Sequence, residues 1–165
     1  MFEKAVNLIL EREGVFSNDK DDSGGETKYG ITKKVYPHLD IPNLTKQQAI
    51  EIYRRDYWEG CSCHSMPWWA ALLVFDAAVQ HGQPTARPLI QRAVKVAADG
   101  KIGPISIRAI IAADADEAIG TFQALRFTDI YLRHSKWEKF GTGWLRRNFI
   151  VTSYAKIDPL SSHLR

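Results

Sequence analysis

The stretch Glu13-Gly-Val-Phe-Ser-Asn-Asp-Lys-Asp-Asp-Ser-Gly-Gly-Glu-Thr-Lys-Tyr-Gly-Ile-Thr32 places an acidic residue directly before a run of turn-forming residues. Upstream, Phe2, Val6 and Ile9 recur at helical spacing, which predicts an amphipathic helix that ends near Glu13. Phe2 and Glu13 are separated by about three helical turns, so both residues fall on the apolar face. The negative end of the helix dipole and an apolar surround both favour a protonated carboxyl. We therefore expect Glu13 to point inward as an acid.

The segment after Glu13 is predicted to turn and to form a small sheet. Asn, Asp, Ser and Gly dominate residues 18–25, and these residue types favour turns. Thr27, Tyr29 and Ile31 then alternate with more polar residues or glycine, which predicts a short strand or hairpin arm. Because the chain turns back toward the first helix, we expect Asp22 and Thr27 to lie opposite Glu13.

A buried acid that faces a solvated carboxylate is the arrangement that cleaves glycosidic bonds. Here Glu13 would protonate the leaving oxygen, and Asp22 would act on water or on the developing cation. The spacing alone is also compatible with a surface Glu at a helix end and an Asp that forms a turn. A calcium loop that starts at Asp19 would need a bidentate Glu where Gly30 stands, so no metal site is predicted.

Three motifs together resemble glycoside hydrolase family 108: Glu13-Gly-Val-Phe-Ser-Asn18, Asp22-Ser-Gly-Gly-Glu-Thr27 and Tyr29-Gly-Ile-Thr32. The resemblance implies an N-acetylmuramidase that hydrolyses the β-1,4 bond after N-acetylmuramic acid in bacterial peptidoglycan without a cofactor. It also implies that Glu13 is the general acid and that Asp22 and Thr27 complete a Glu, Asp, Thr constellation. Many members of the family are phage endolysins. The fold that we expect is mainly α and lysozyme-like, with a small β wing near residues 15–32.

The connection between Glu13 and Asp22 also bears on stereochemistry. Most of the intervening residues form turns, so the loop can hold the two carboxyls far enough apart to admit a water, as in inverting enzymes. The Thr27 hydroxyl can then orient that water. A tightly folded loop would instead let Asp22 act as a nucleophile or as electrostatic support.

Further along the chain, Thr45 and Gln48 form a capping-box pattern, which predicts a helix from about Lys46 to Trp58. With Tyr29, two later residues are our candidates for contact with substrate. Trp58 can stack on a sugar ring, although aromatic residues at helical spacing also serve as core. Gln80 leaves the apolar face of the next helix and is a polar candidate for the sugar groove.

That next helix begins at Pro67 and is predicted to be the central buried one. Asp76 and His81 leave its apolar face, and we expect them to contact solvent, to cap the helix, or to line the groove. A long helix capped by Asp114 or Asp116 is predicted to end at Gly141 and Gly143, before a last helix over 144–156.

The segment around Asp99-Gly-Lys-Ile-Gly-Pro104 resembles the predicted peptidoglycan-binding segment of family 108. No linker rich in Gly, Ser or Pro separates this segment from the helix that begins at Pro67. We therefore expect one compact domain over residues 1–165, with a catalytic segment at 1–66 and a helical segment at 67–150.

Composition and charge set the remaining expectations. The 165 residues are 45% apolar, which is enough for one core, and no segment is predicted to be a signal peptide or a membrane span. We expect a monomer that stays in the host cytoplasm until release to the periplasm or wall at lysis. The net charge is +3, and the basic end from Arg126 onward could contact an anionic outer-membrane surface. No nucleic-acid-binding signature accompanies it.

Cys61 and Cys63 are predicted to be reduced, partly buried thiols, because their spacing suits neither a common disulfide nor a zinc site. Two other functions remain open. A lytic transglycosylase needs the Glu but no partner that activates water. A non-catalytic wall-binding protein would gain nothing from an inward Glu13.

Overall fold

The computed structural model describes residues 1–13, 16–17, 26–132, 134–135 and 137–157, with the backbone alone for residues 12, 13, 16 and 17. The chain divides into two compact units, Met1–Asp56 and Tyr57–Arg165, and each is described by itself. The expectation of one domain over 1–165, with segments 1–66 and 67–150, stays a prediction.

The first unit opens with helix α1, Phe2–Glu13. Its apolar face is buried as the spacing predicted, since Phe2, Ala5, Val6 and Ile9 are at most 5% exposed. The helix ends at Glu13, where the sequence placed its end.

Three short strands form an antiparallel sheet in the order β1 (Phe16–Ser17), β2 (Thr27–Lys28) and β3 (Ile31–Thr32). Two residues, Tyr29 and Gly30, connect β2 to β3, and both have positive φ, 53° and 76°. Two consecutive left-handed residues in a two-residue loop are the mark of a type I′ hairpin turn. The expected mainly α, lysozyme-like fold class with a small β wing near residues 15–32 is confirmed.

Helix α2, Lys46–Ile52, begins with the predicted capping box. The Thr45 hydroxyl accepts a hydrogen bond from the Gln48 backbone N–H, and the Gln48 side chain accepts one from the Thr45 N–H at 2.8 Å. The chain continues as π-helical turns over Tyr53–Glu59. The helix predicted from Lys46 to Trp58 is therefore confirmed in extent, with a change of winding at Tyr53.

The second unit is built around α3, Trp68–His81, whose residues from Trp68 to Ala78 are all buried. The central buried helix is thus confirmed. The elements around it are a 3-10 helix at Cys63–Ser65, α4 (Gln83–Ala93), α5 (Pro104–Ala112), α6 (Ala115–Arg126), π-helical turns at Phe127–Tyr131 and α7 (Trp137–Ala155). Helices α4, α6 and α7 all pack against α3.

The predicted end of the long helix at Gly141 and Gly143 is wrong. Asp114 does cap α6, but this helix ends at Arg126, and both glycines lie inside α7. A Cβ atom added at Gly141 would lie 2.6 Å from the Trp137 ring. The glycine at 141 therefore serves close packing inside a helix, which a rule that treats glycine as a helix end cannot foresee.

Within the described ranges, no helix is both long enough and apolar enough to cross a membrane.

Candidate active site

The three predicted catalytic residues fall at the sheet and at the helix that precedes it. Glu13 is the last residue of α1, and its side chain is outside the described atoms. Asp22 lies outside the described residues altogether. Thr27 is the first residue of β2 and is half-buried. The catalytic assignment of these three residues stays a prediction.

Thr27 occupies the centre of the sheet because β2 is the middle strand. It stands opposite Ser17 on β1 and opposite Thr32 on β3. A strand that is paired on both sides is more restrained than an edge strand. Thr27 is therefore held at a fixed position of the backbone, as a residue that orients a water would need to be.

The hairpin that carries Thr27 is anchored at its turn. Tyr53, which is 1% exposed, donates a hydrogen bond from its hydroxyl to the Tyr29 carbonyl at 2.8 Å. The Lys28 ammonium donates to the Pro42 carbonyl at 2.7 Å. Tyr29 itself, a predicted substrate contact, is half-buried at the turn. Tyr53 was missed at the sequence level, because nothing local relates it to a residue 24 positions away.

A second polar group in the first unit joins Tyr36, Arg55 and Asp56. The Tyr36 hydroxyl donates to Asp56 Oδ2 at 2.9 Å, and Arg55 donates to the same carboxylate. The hydrogen bond from Arg55 lowers the pKa of Asp56 against the opposing effect of partial burial, and the hydrogen bond from Tyr36 lowers it further. Asp56 is therefore held as a carboxylate near the end of this unit.

Trp58 lies in the second unit and is 3% exposed. Its ring packs edge-to-face on Phe75, with centroids 5.5 Å apart. This burial favours a role for Trp58 in the hydrophobic core, which the helical spacing also allowed. An indole with so little exposed surface offers no open face to a sugar. Contact of Trp58 with substrate is not tested and stays a prediction.

Gln80 belongs to a polar cluster inside the second unit. Its carbonyl oxygen accepts hydrogen bonds from the Arg126 guanidinium and, at 3.2 Å, from the Tyr131 hydroxyl. That oxygen is therefore engaged within the protein, and any contact of Gln80 with a sugar would fall to its amide nitrogen. Its role as a groove residue also stays a prediction.

The expectation that Asp76 contacts solvent, caps the helix or lines the groove is wrong. Asp76 is 0% exposed and forms ion pairs with Arg126 at 2.8 Å and with Arg147 at 2.9 Å. Burial alone would raise the pKa of Asp76, but the two guanidinium groups and their hydrogen bonds hold it below its ordinary value. Asp76 is therefore a structural carboxylate that joins α3 to α6 and α7.

His81 completes this cluster as a neutral imidazole. Its Nε2 accepts a hydrogen bond from Arg126 Nε at 3.1 Å. Burial, followed by the positive charge of Arg126, lowers the pKa of His81 from 6.5 to about 3. A proton on this ring would remove the acceptor that Arg126 uses, so His81 stays uncharged at neutral pH.

The two thiols, Cys61 and Cys63, are free and 0% exposed. Burial raises the pKa of Cys61 and raises that of Cys63 well above the ordinary value. Both are therefore protonated, which disfavours a nucleophilic role for Cys63. Among the described residues, no group of His, Cys, Asp and Glu side chains is placed to hold a metal ion.

Among the described cations of the basic end, two are engaged inside the protein and one forms an exposed ion pair. Arg126 and Arg147 pair with Asp76, and the Lys156 ammonium lies 2.6 Å from Asp116. Arg147 is only 12% exposed, so this member of the basic end presents little of its charge to an outer surface. Exposed cations in this part of the chain include Lys139 and Arg146.

Two family models match consecutive parts of the chain. Residues 6–82 match the model described as Glycosyl hydrolase 108, and residues 83–149 match the one described as Predicted Peptidoglycan domain. The models meet between residues 82 and 83, whereas the sequence motifs placed the change of segment at 66 and 67. No curated protein matches the chain.

Among the solved structures that match is that of Brucella abortus SagA, with a TM-score of 0.85. The two chains are 28% identical, and the match covers 93% of this chain and 92% of the other. The residues that carried the first resemblance, from Glu13 to Thr32, lie inside the matched hydrolase region. The chain thus carries a glycosyl hydrolase 108 region over residues 6–82, which makes it a glycoside hydrolase that acts on peptidoglycan, and a predicted peptidoglycan-binding domain over residues 83–149.

Proposed function

We propose that this glycoside hydrolase is an N-acetylmuramidase that cleaves the β-1,4 bond between N-acetylmuramic acid and N-acetylglucosamine. Glu13 is the general acid, and Asp22 and Thr27 position and activate a water. Glu13 gives its proton to the leaving oxygen as the bond from that oxygen to the anomeric carbon breaks. The water oxygen bonds to the anomeric carbon, and the proton that it loses passes to Asp22.

The observation that carries the proposal is the order of elements in the first unit. Helix α1 ends at Glu13, and the sheet that follows it has Thr27 at the start of its middle strand. A carboxyl at the end of a helix and a hydroxyl on a central strand supply an acid and a water-orienting group from two defined elements. The match to the hydrolase family model supports the assignment of a hydrolytic role to this region.

The test is the substitution Glu13→Gln, which keeps the shape of the side chain but removes its proton. We expect turbidity clearance of purified peptidoglycan to fall by about 10²-fold or more, the range attributed to a general acid. Glu11→Gln, at an exposed position of the same helix, is the matched control and should keep wild-type activity. A folded Glu13→Gln variant with unchanged clearance would overturn the assignment.

Mass spectrometry of the released fragments separates the two enzyme classes. A muramidase leaves reducing N-acetylmuramic acid ends, whereas a lytic transglycosylase leaves anhydro ends because no water is added. We expect reducing ends alone. A protein that only binds the wall would release neither product.

We further propose that the enzyme acts as an endolysin, held in the host cytoplasm until a membrane lesion gives it access to the wall. Expression of the chain in a bacterial host should leave the culture intact until the membrane is permeabilised, and lysis should then follow. Immediate lysis without permeabilisation would contradict this role.

A further inference from the structure

We propose that Tyr53 is a positioning residue for the reaction: its hydroxyl holds the Tyr29–Gly30 turn and so fixes the strand that carries Thr27. This inference rests on the proposed role of Thr27. It concerns the first unit alone, where both partners of the hydrogen bond are described.

The turn needs help from outside because of its first residue. Tyr29 has φ of 53°, in the left-handed region that a residue with a Cβ atom adopts at a cost in free energy. Type I′ turns favour Asn or Gly at this position, and Tyr is not among the residues they select. The local sequence of this hairpin therefore does not by itself favour the backbone that the structure has.

Tyr53 supplies that help from a rigid element. It is the first residue of the π-helical turns, is 1% exposed, and donates to the Tyr29 carbonyl at 2.8 Å. A hydrogen bond from a buried, well-packed phenol to a backbone carbonyl fixes the peptide plane at the strained position. Short π-helical segments inside helices also occur frequently at functional sites.

The effect reaches Thr27 through the strand. Thr27 is two residues before Tyr29, and Lys28, between them, pairs with Ile31 across the turn. At the other end of the hairpin, the Lys33 N–H donates to the Glu26 carbonyl at 2.9 Å. The position of Thr27 is thus set by a ladder that closes on the Tyr29–Gly30 turn. A shift of that turn moves the hydroxyl relative to the water that it orients.

The substitution Tyr53→Phe removes the hydroxyl and keeps the ring. On a soluble peptidoglycan glycan we expect kcat to fall about tenfold, with KM within about twofold, because misplacement of a catalytic group costs rate more than binding. Tyr36→Phe removes another phenol-to-acceptor hydrogen bond among the described residues of this unit, the one to Asp56, and is the matched control. It should leave kcat unchanged.

A double-mutant cycle distinguishes the turn from any other route. Asn-Gly favours a type I′ turn without outside help, so in the Tyr29→Asn background Tyr53→Phe should lower kcat less than about twofold. Hydrogen exchange of the Ile31 amide, whose residue pairs with Lys28 across the turn, gives a readout without catalysis: Tyr53→Phe should accelerate it, and Tyr29→Asn should restore the protection.

Thr27→Ala, measured in the same assay, separates this inference from the proposed function. If Thr27→Ala retains wild-type kcat, the role of Thr27 is wrong and the inference falls with it. If Thr27→Ala is inactive while Tyr53→Phe keeps wild-type kcat, the inference alone is overturned. It is also overturned if Tyr53→Phe lowers kcat equally in both backgrounds.

Discussion

Asp76 and Arg126 form an ion pair in which neither side chain is exposed, with Nη1 of the arginine 2.8 Å from Oδ2 of the aspartate. The other carboxylate oxygen of Asp76 accepts from Arg147. Because water cannot replace a partner lost from such a site, the pair should matter far more to stability than the exposed ion pairs of the same unit.

We expect Asp76→Asn to lower the free energy of unfolding by about 3 to 5 kcal/mol, the usual cost of removing one partner of a buried pair. The matched control is Asp116→Asn, which removes the exposed pair with Lys156 and should cost less than about 1 kcal/mol. Urea denaturation of both variants measures the difference. Equal losses would show that the burial of Asp76 does not matter.

His81 makes stability depend on pH in a defined window. Its folded-state pKa of about 3 lies below the ordinary value of 6.5, so between these values the unfolded chain binds a proton that the folded one does not. Stability from this group is present above pH 6.5 and is lost as the pH falls, by about 2 kcal/mol at pH 5.

Thermal unfolding from pH 7 to pH 4 should therefore show a slope that His81→Gln reduces, because Gln keeps an acceptor for Arg126 without titrating. His64→Gln, at an exposed position, is the control and should keep the wild-type slope. A slope that is the same in the wild type and in His81→Gln would contradict the assignment.

Two glycines of α7 should respond to alanine in opposite directions. A Cβ at Gly141 would lie 2.6 to 2.8 Å from ring atoms of Trp137, whereas one at Gly143 meets nothing within 4 Å. Trp137 cannot easily give way, since its ring packs edge-to-face on Phe127 and stacks on Tyr131.

Gly141→Ala should destabilise the protein by about 1 to 3 kcal/mol through overpacking. Gly143→Ala should stabilise it by up to about 1 kcal/mol through helix propensity. Melting temperatures of the two variants check both signs. A stabilising Gly141→Ala would mean that the Trp137 ring moves at little cost.

The stereochemical prediction follows from the proposed roles of Asp22 and Thr27. If they act on a water on the face opposite Glu13, the first product is the α-anomer, which proton NMR of a defined glycan detects before mutarotation. An initial β-anomer would rule out inversion. Thr27→Glu should lower hydrolysis by water and favour a covalent, retaining course, which mass spectrometry of the intact protein would reveal.

The exposed cations of α7, Lys139 and Arg146, are the ones to test for contact with an anionic envelope. Replacing Lys139 and Arg146 with Gln should slow lysis of whole cells more at low salt than at high salt, because screening weakens surface attraction. Cleavage of soluble fragments should not change. Arg147→Gln, by contrast, should lower the stability of the protein and therefore its activity on every substrate, since it removes one partner of Asp76.

Local patterns predicted most of the secondary structure. The apolar spacing of α1 and the Thr45 capping box each depend on neighbours within one or two turns, and both are confirmed. The alternation around Thr27 correctly predicted strand structure, but the single strand or hairpin arm is interrupted by the turn at Tyr29 and Gly30. The Asp76 cluster was not predicted, because its partners Arg126 and Arg147 lie 50 and 71 residues away. From sequence alone, a polar residue that lies outside the apolar face of a helix can be expected to contact either solvent or a distant guanidinium.

The candidate site was predicted through a resemblance more than through physics. Spacing alone allowed Glu13 to be either a buried acid or a surface charge. The motif from Glu13 to Thr32 pointed to the family, whose model matches the region that contains it. Neither spacing nor resemblance predicts that Tyr53 supports the hairpin. Its hydrogen bond to the Tyr29 carbonyl becomes visible only in the structure.

The division of the chain into two units has a spectroscopic consequence. All five tryptophans, Trp58, Trp68, Trp69, Trp137 and Trp144, belong to the second unit, while the first contains tyrosines such as Tyr29, Tyr36 and Tyr53. Selective excitation of tryptophan therefore reports directly on residues of the second unit, since the hairpin that carries Thr27 contains no tryptophan. A fluorescence melt that looks native can accompany a hairpin that has already opened.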